Sequence, residues 1–294
     1  MLVAGCYQPR VPIGAACSSE GLCPNGQTCV AKMCVLPGTP EPDAAIDAAP
    51  PVDAWTWAMP TKVPGVNSTS VEDDPSCTPD RLTIVFTSDR NGTSDIFLGT
   101  RPTTADSFVV APLDALNSTT ANDGSPEISA DGTTIYFTSD RVTAGSSDIY
   151  VSHKVSGVWS APVLVTEWST AGNEGDLAIS PDELTAMIAR SGKLLIATRA
   201  STTAAFGAPV AVPSLDVLGT ALAGPSITNN ADAVYFHAGN IRDLYYAKRV
   251  GNAYTTPMPI TELNTSVRDD APFISADEHY LLYAHANDIY ETTR

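Results

Sequence analysis

Charged side chains are scarce in this sequence, and basic ones are the scarcest. Asp, Glu, Lys and Arg make up 17% of its 294 residues, and 16 basic residues stand against 33 acidic ones, giving a formal net charge of −17. A chain this acidic is repelled by phosphate backbones and by anionic lipid surfaces, so nucleic-acid binding is not expected. No run approaches 18 consecutive apolar residues, which argues against a membrane-spanning helix.

Familiar catalytic motifs are also missing. The sequence has no G-x-S-x-G elbow, no P-loop, no G-x-G-x-x-G after a strand pattern and no H-E-x-x-H. Asp89–Asp95 alternates oxygen-bearing side chains as a calcium loop does, but its glycine is the fourth residue instead of the sixth. We interpret it as a hairpin turn, with calcium binding as the alternative. No other cofactor is expected.

The sequence does contain a five-fold repeat. A phrase of the form P-x-I-S-x-D recurs, with copies that begin at Pro75, Pro126, Leu177, Pro225 and Pro272. Apolar runs follow at Ile84–Phe86, Ile135–Phe137, Ala186–Ile188, Val234–Phe236 and Leu281–Tyr283, and then at Asp95–Phe97, Asp148–Tyr150, Lys193–Leu195, Asp243–Tyr245 and Asp288–Tyr290. An aromatic residue shortly before a proline recurs at Trp57, Phe108, Trp159, Phe206 and Tyr254, 47 to 51 residues apart.

Four short strands per unit at this spacing predict an all-β fold, a five-bladed β-propeller of four-stranded blades over residues 57–294. We name the strands A to D from the channel outward, with the P-x-I-S phrase as A and the aromatic segment as D. The chain enters on a D segment, Trp57–Val66, and ends on A, B and C at Asp269–Arg294. Pairing the first segment with the last blade would close the ring and cover an exposed edge.

Residues 125–150, SPEISADGTTIYFTSDRVTAGSSDIY, resemble the TolB-like, WD-like β-propeller repeat, whose approximate consensus is P-x-[IF]-S-P-D-G-x-x-[IL]-Y-F-x-S-D-R…D-I-Y. The resemblance extends over residues 57–294. It departs in unit 3, which has Arg190 and Lys193 near the usual S-D-R and D-I-Y positions, and in unit 4, which lacks the Pro-Asp-Gly turn. Six blades are commoner in TolB-like proteins, but residues 1–56 hold no sixth copy.

Residues 1–6 end in Val-Ala-Gly-Cys, which resembles a bacterial lipobox and implies a lipid on Cys6 and a cell-envelope location. The basic region and most of the apolar region of a signal peptide are missing, so we expect a start codon upstream or a trimmed sequence. Tyr7 stands where an aspartate is associated with inner-membrane retention, which favours the outer membrane. The alternative is an ordinary cysteine.

Four cysteines, Cys17, Cys23, Cys29 and Cys34, crowd into residues 7–36 and predict a small disulfide module whose three possible pairings stay open. Zinc is the alternative, but no C-x-x-C pair and no nearby histidine supports it. Residues 37–56, rich in Pro, Ala and Asp, predict a disordered tether. Cys77 occupies an isoleucine position of strand A and is predicted to be a buried hydrophobe.

Candidate binding residues lie beside the predicted channel. Four acids precede strand A at equivalent positions: Glu72, Asp123, Glu174 and Asp269, with Leu222 in unit 4. Gathered at one mouth they would bind a cation, a sugar or a basic partner; alternatively, each hydrogen-bonds the backbone of a neighbouring blade. The units diverge where strand B ends, and we align there Ser88–Arg90, Ser139–Arg141, Ala189–Ser191, His237–Gly239 and Ala284–Ala286. Arg190, His237 and His285 are the further candidates.

These observations predict a non-enzymatic, monomeric envelope lipoprotein whose propeller is a binding platform for an envelope protein or a cell-surface glycan. The alternative is a five-bladed hydrolase acting on extracellular polysaccharide. A glycosidase needs two carboxylates about 5 to 10 Å apart in an aromatic-walled pocket, one of them with a raised pKa. A platform needs a broad exposed patch and no such pair.

Overall fold

A computed structural model describes Cys23, residues 28–30, 33–35, 56–143 and 146–294. The chain divides into two units at the bond between Trp55 and Thr56. No helix in the described ranges is long and apolar enough to cross a membrane.

The described part of the first unit is a two-stranded antiparallel ladder. Thr28–Val30 pairs with Met33–Val35, and the backbone register sets Cys29 opposite Cys34. Cys23 is disulfide-bonded. The lipid site at Cys6, the remaining disulfide arrangement of Cys17, Cys29 and Cys34, and the tether lie outside the described residues or rest on undescribed side chains. They stay predictions.

The second unit is a five-bladed β-propeller, as predicted, and every blade contains an antiparallel sheet with strands in the order A-B-C-D. The A strands are Glu72–Cys77, Asp123–Ile128, Glu174–Ile179, Leu222–Ile227 and Asp269–Ile274. The B strands are Thr83–Ser88, Thr134–Thr143, Thr185–Arg190, Ala233–Ala238 and Tyr280–His285. The C strands are Asp95–Thr100, Ser146–Val155, Lys193–Thr198, Asp243–Val250 and Asp288–Thr293. The D strands are Val109–Pro112, Val163–Leu164, Val210–Ala211, Met258–Pro259 and Thr61–Lys62.

Smaller elements complete the described residues. Two-residue strands at Val158–Trp159 and Ala253–Tyr254 fold back on strand C of blades 2 and 4. Single 3₁₀ turns occupy Asp216–Leu218 and Asn229–Ala231, and the second replaces the A–B turn found in the other blades.

The first D strand closes the ring, which confirms the predicted pairing. Thr61 and Lys62 pair with Glu291 and Tyr290 of the last C strand. Asn67 then holds both backbone groups of Ile289, accepting from its N–H at 2.7 Å and donating to its carbonyl at 2.9 Å. The two ends of the propeller are therefore joined within one blade.

Five apolar clusters lie between the blades, one at each junction. Each B strand is buried on both faces, so its apolar run is continuous instead of alternating: Ile84 and Phe86 pack toward blade 5, while Val85 packs toward blade 2. The cluster between blades 5 and 1 also contains Val63 of the closing segment and Cys77. Cys77 is a free, buried thiol, as predicted.

The A–B turns explain the repeated serine or threonine and aspartate. The hydroxyl donates to the aspartate two residues later in four blades: Thr78 to Asp80, Ser129 to Asp131, Ser180 to Asp182 and Ser275 to Asp277. The same carboxylate accepts an amide hydrogen two residues further on. These acids therefore shape the A–B hairpins.

Candidate functional site

The four predicted acids at the start of strand A are fully buried. Three form ion pairs with an arginine at or just beyond the end of strand B of the same blade: Glu72 with Arg90 at 2.9 Å, Asp123 with Arg141 at 2.5 Å and Glu174 with Arg190 at 3.0 Å. In blade 5, Asp269 lies 2.6 Å from Nδ1 of His285. Each of the four acids also accepts the amide hydrogen of a residue in the loop before strand A, namely Ser68, Ser118, Thr170 and Thr265. These are the contacts of a structural anchor, and the binding role of the four acids stays a prediction.

The strand register corrects the alignment of the B-strand ends. Glu72 lies opposite Ser88, Glu174 opposite Arg190 and Asp269 opposite His285. Arg190 and His285 are thus equivalent to Ser88, whereas the alignment above placed their preceding residues there. In blade 4 the residue equivalent to Ser88 is Ala238, which lies opposite Leu222. The alignment placed His237 there instead, and neighbouring residues of a strand face opposite sides of the sheet.

His237 is buried beside the channel instead of at its rim. Its Nδ1 accepts the amide hydrogen of Ala271 at 3.2 Å, and burial lowers the pKa of its imidazole to about 4. A Cβ at Gly224 would lie 2.6 Å from the same nitrogen, and Gly224 also has φ +55°. A side chain at Gly224 would therefore collide with His237, and the lowered pKa favours the neutral imidazole.

A bulge in every A strand shapes the channel. The register with strand B shifts at the third strand position in each blade, and four residues there have positive φ: Asp74, Ser125, Gly224 and Ala271. Bulges redirect side chains and are common beside functional sites. Here they place Asp74 and Asp176, from blades 1 and 3, within reach of the Ser125 hydroxyl, at 3.1 and 2.8 Å.

Cations link neighbouring blades around this carboxylate pair. Arg268 donates to Asp73 at 2.9 Å, and Arg242 donates to Asp270 at 2.8 Å. The pKa of Asp74 is raised well above its ordinary value, mainly because the carboxyl is buried. Burial is also the main reason that the pKa of Asp270 is raised to about 7. Within the described ranges, no group of three or more His, Cys, Asp or Glu side chains is arranged to hold a metal ion.

The channel is narrow at this end and wide at the other. The narrow cavity has a volume of about 20 Å³ and is lined mainly by the bulge residues and by the prolines that follow them, with no aromatic side chain. That is room for about one water molecule. The wide cavity, which we call the funnel, has about 510 Å³ and lies where the A strands end. Its walls include Ile128, Ile179, Ile227, Ile274 and Phe273.

Glu127 lines both cavities, so it stands where the funnel narrows. Its Oε1 accepts the amide hydrogen of Ile179 in the next blade at 3.2 Å. Burial raises the pKa of Glu127 to about 7, against the opposing effect of hydrogen bonds from Ser76 and Ile179. None of the seven predicted site residues lines the funnel or the narrow cavity.

Sequence comparison between units could have found Glu127. The fifth position of strand A reads Ser76, Glu127, Ala178, Ser226 and Phe273. Glu127 is the only acid at this position, and a residue that differs between the units is a candidate for binding, as at the ends of strand B. The third position of strand A differs between the units in the same way and contains Asp74, Ser125 and Asp176.

Comparisons with known proteins give structural likenesses only. No family model matches the chain, and no curated protein does. A thermostable family-43 glycoside hydrolase is 13% identical with a TM-score of 0.54, covering 79% of this chain and 91% of the other. An α-L-arabinofuranosidase from Podospora anserina, solved with cellotriose, is 11% identical with a TM-score of 0.52, covering 81% and 96%.

TolB from Acinetobacter baumannii is also among the similar structures, 21% identical with a TM-score of 0.42. The match covers 64% of this chain and spans 43% of the length of that TolB. At these identities the likenesses concern the fold alone. The chain is a five-bladed β-propeller whose structural neighbours include TolB proteins and glycoside hydrolases.

Proposed function

We propose that the propeller is a non-catalytic, protein-binding domain that takes a segment of its partner into the funnel. The observation that carries the proposal is the 510 Å³ cavity at the centre of the ring, whose walls include the isoleucines at the ends of the A strands. A volume of this size is typical of ligand sites. The apolar ends of the A strands alternate in its lining with polar residues such as Ser129, Ser180 and Ser226, which can hydrogen-bond to a polypeptide backbone. Stacking platforms for sugar rings are sparse there, which favours a polypeptide over a glycan.

The envelope location belongs to the same proposal. A lipid on Cys6 and a tether over residues 37–56 would hold the propeller away from an outer membrane, where it would meet envelope proteins. Support for this comes from the lipobox resemblance and from the cysteine-rich segment, which suits an oxidising compartment.

Polysaccharide hydrolysis is the second candidate, and one observation favours it. Asp74 and Asp176 share the Ser125 hydroxyl, and Asp74 has the raised pKa expected of a general acid. Against it, the cavity beside them has about 20 Å³ and proline walls, which leaves no room for a sugar ring. The binding domain is therefore the better supported function.

The test is selection of 12-residue peptides from a phage-displayed library by the full chain. Ala276→Trp puts an indole at the exposed funnel rim, and the control Ala205→Trp puts one at an exposed site outside the funnel lining. We expect the selected peptides to bind the native chain and Ala205→Trp but not Ala276→Trp. Thermal unfolding would verify that both variants fold. Peptides that bind all three proteins alike, or no selected peptide, would contradict the proposal. Cleavage of a p-nitrophenyl arabinofuranoside, lost in Asp74→Asn, would favour hydrolysis instead.

A further inference from the structure

Glu127 does a task that serine performs in two other blades. The Ser76 hydroxyl accepts the amide hydrogen of Ile128 at 3.2 Å, and the Ser226 hydroxyl accepts that of Ile274 at 2.9 Å. Glu127 accepts the equivalent amide, that of Ile179. Two blades make this link with a neutral serine, and two others have Ala178 and Phe273 at the position, so the fold does not need a charge there.

In the part of the chain that the structure describes, the carboxylate at this position has no cation beside it. Among the described residues, the groups that favour the charged form of Glu127 are the Ser76 hydroxyl and the Ile179 amide. Buried carboxylates are normally paired with a cation, because removing a charge from water is costly. Three of the four fully buried anchor acids pair with an arginine. Glu127 is half-buried beside the funnel, and no ion pair joins it to a cation among the described residues.

The cations nearest to the funnel are already engaged at its rim. Arg294 pairs with Glu278 at 3.1 Å and stacks on Trp57, and Arg81 stacks on Tyr280 with 4.8 Å to the ring centre. Asp277 contributes an acid to the same rim. The rim thus carries both signs of charge, whereas the floor of the funnel presents one carboxylate below apolar walls.

We propose that the funnel recognises a partner segment that inserts a lysine or arginine side chain, with apolar neighbours, so that its cation meets Glu127. This inference rests on the proposed function and names the chemistry of the partner. Apolar walls suit the methylene stem of such a side chain, and the carboxylate suits its charged end. The excess of acids over bases in the whole chain also favours a basic partner.

The test uses peptides that the native chain has selected and measures their affinity for three proteins. These are the native chain, Glu127→Gln and the matched control Glu167→Gln, which loses the same charge at an exposed site. We expect one Lys or Arg in every funnel-dependent peptide, with affinity weakened about 30-fold or more by Glu127→Gln and unchanged in the control. Replacing the Lys or Arg of the peptide by norleucine should weaken its affinity for the native chain as much as Glu127→Gln does. Combining the two changes should weaken the affinity little more than either change alone.

Two outcomes would overturn the inference while leaving the proposed function intact. One is a set of peptides that are excluded by Ala276→Trp but carry no basic residue. The other is equal affinity for the native chain and Glu127→Gln. Loss of funnel dependence itself would instead contradict the proposed function. The glutamine amide retains an oxygen for the Ile179 N–H, so the variant keeps the contact between the blades.

Discussion

At the residue scale, equivalent positions of the five blades separate what the fold uses repeatedly from what a single blade adds. Ser76, Glu127 and Ser226 all accept an amide hydrogen from the next A strand. Only the glutamate brings a titratable charge to this task, and burial raises its pKa to about 7. The extra cost of an acid at this position is consistent with a role in binding.

Glu127 should make stability depend on pH in a defined direction. Its folded-state pKa lies above the ordinary value of 4.5, so between these values the folded protein holds a proton that the unfolded chain releases. The stabilising contribution is complete at low pH and is lost as the pH rises to about 7. Between pH 5 and 7.5 we expect the native chain to lose about 1 to 3 kcal/mol of unfolding free energy relative to Glu127→Gln.

Urea unfolding of both proteins at the two pH values measures this difference. Asp270, whose pKa is also raised to about 7, is present in both and cancels in the comparison. Glu167→Gln should follow the native chain. Parallel pH profiles for the native chain and Glu127→Gln would show that the carboxyl is not desolvated.

At the element scale, the closing strand decides whether the ring is complete. Thr61–Lys62 contributes only a short ladder, but its flanking residues Trp57, Val63 and Val66 are buried against the last and first blades. Without them, the last C strand would present an unpaired edge, which favours association between chains.

Deleting residues 1–66 should therefore cost much more than deleting residues 1–55. Burial of a large apolar side chain is worth about 1.5 to 3 kcal/mol, so losing three should lower the unfolding free energy by several kcal/mol and promote aggregation. The shorter deletion keeps every described contact of the propeller. Urea unfolding and light scattering after size exclusion would measure both effects, and equal stability of the two deletions would contradict the closure argument.

At the scale of the whole molecule, the net charge of −17 governs encounter with a partner more than the final complex. Many charges that hold the fold are paired with one another, within a blade as at Glu72 and Glu174 or between blades as at Arg268 and Asp73. The remaining negative field extends about one Debye length, roughly 10 Å at 0.1 M salt.

Binding of a basic funnel peptide should accordingly depend on salt mainly through its association rate. Raising NaCl from 50 to 300 mM should slow association several-fold while dissociation changes little. Surface plasmon resonance with the native chain measures both rates, and the norleucine version of the peptide provides the control. An equal effect of salt on both peptides would show that the basic residue is not steered by the field of the protein.

The five-fold repeat specified the strands, the blade number and the ring closure, because these depend on local patterns of apolar and turn-forming residues. The Asp131-type turn and the buried Cys77 were predictable for the same reason: each unit repeats the environment of the last. One error came from register, where a shift of one residue placed His237 on the wrong side of its strand.

Only the tertiary structure brought Asp74, Ser125 and Asp176 together and placed Glu127 at the floor of the funnel. These residues lie about 50 positions apart in the chain, and their meeting depends on the ring geometry and on a bulge in every A strand. A bulge alters which side chains face the axis without changing the apolar pattern. The sequence therefore determined the scaffold, whereas the backbone irregularities repeated around the axis decided where charge meets the channel.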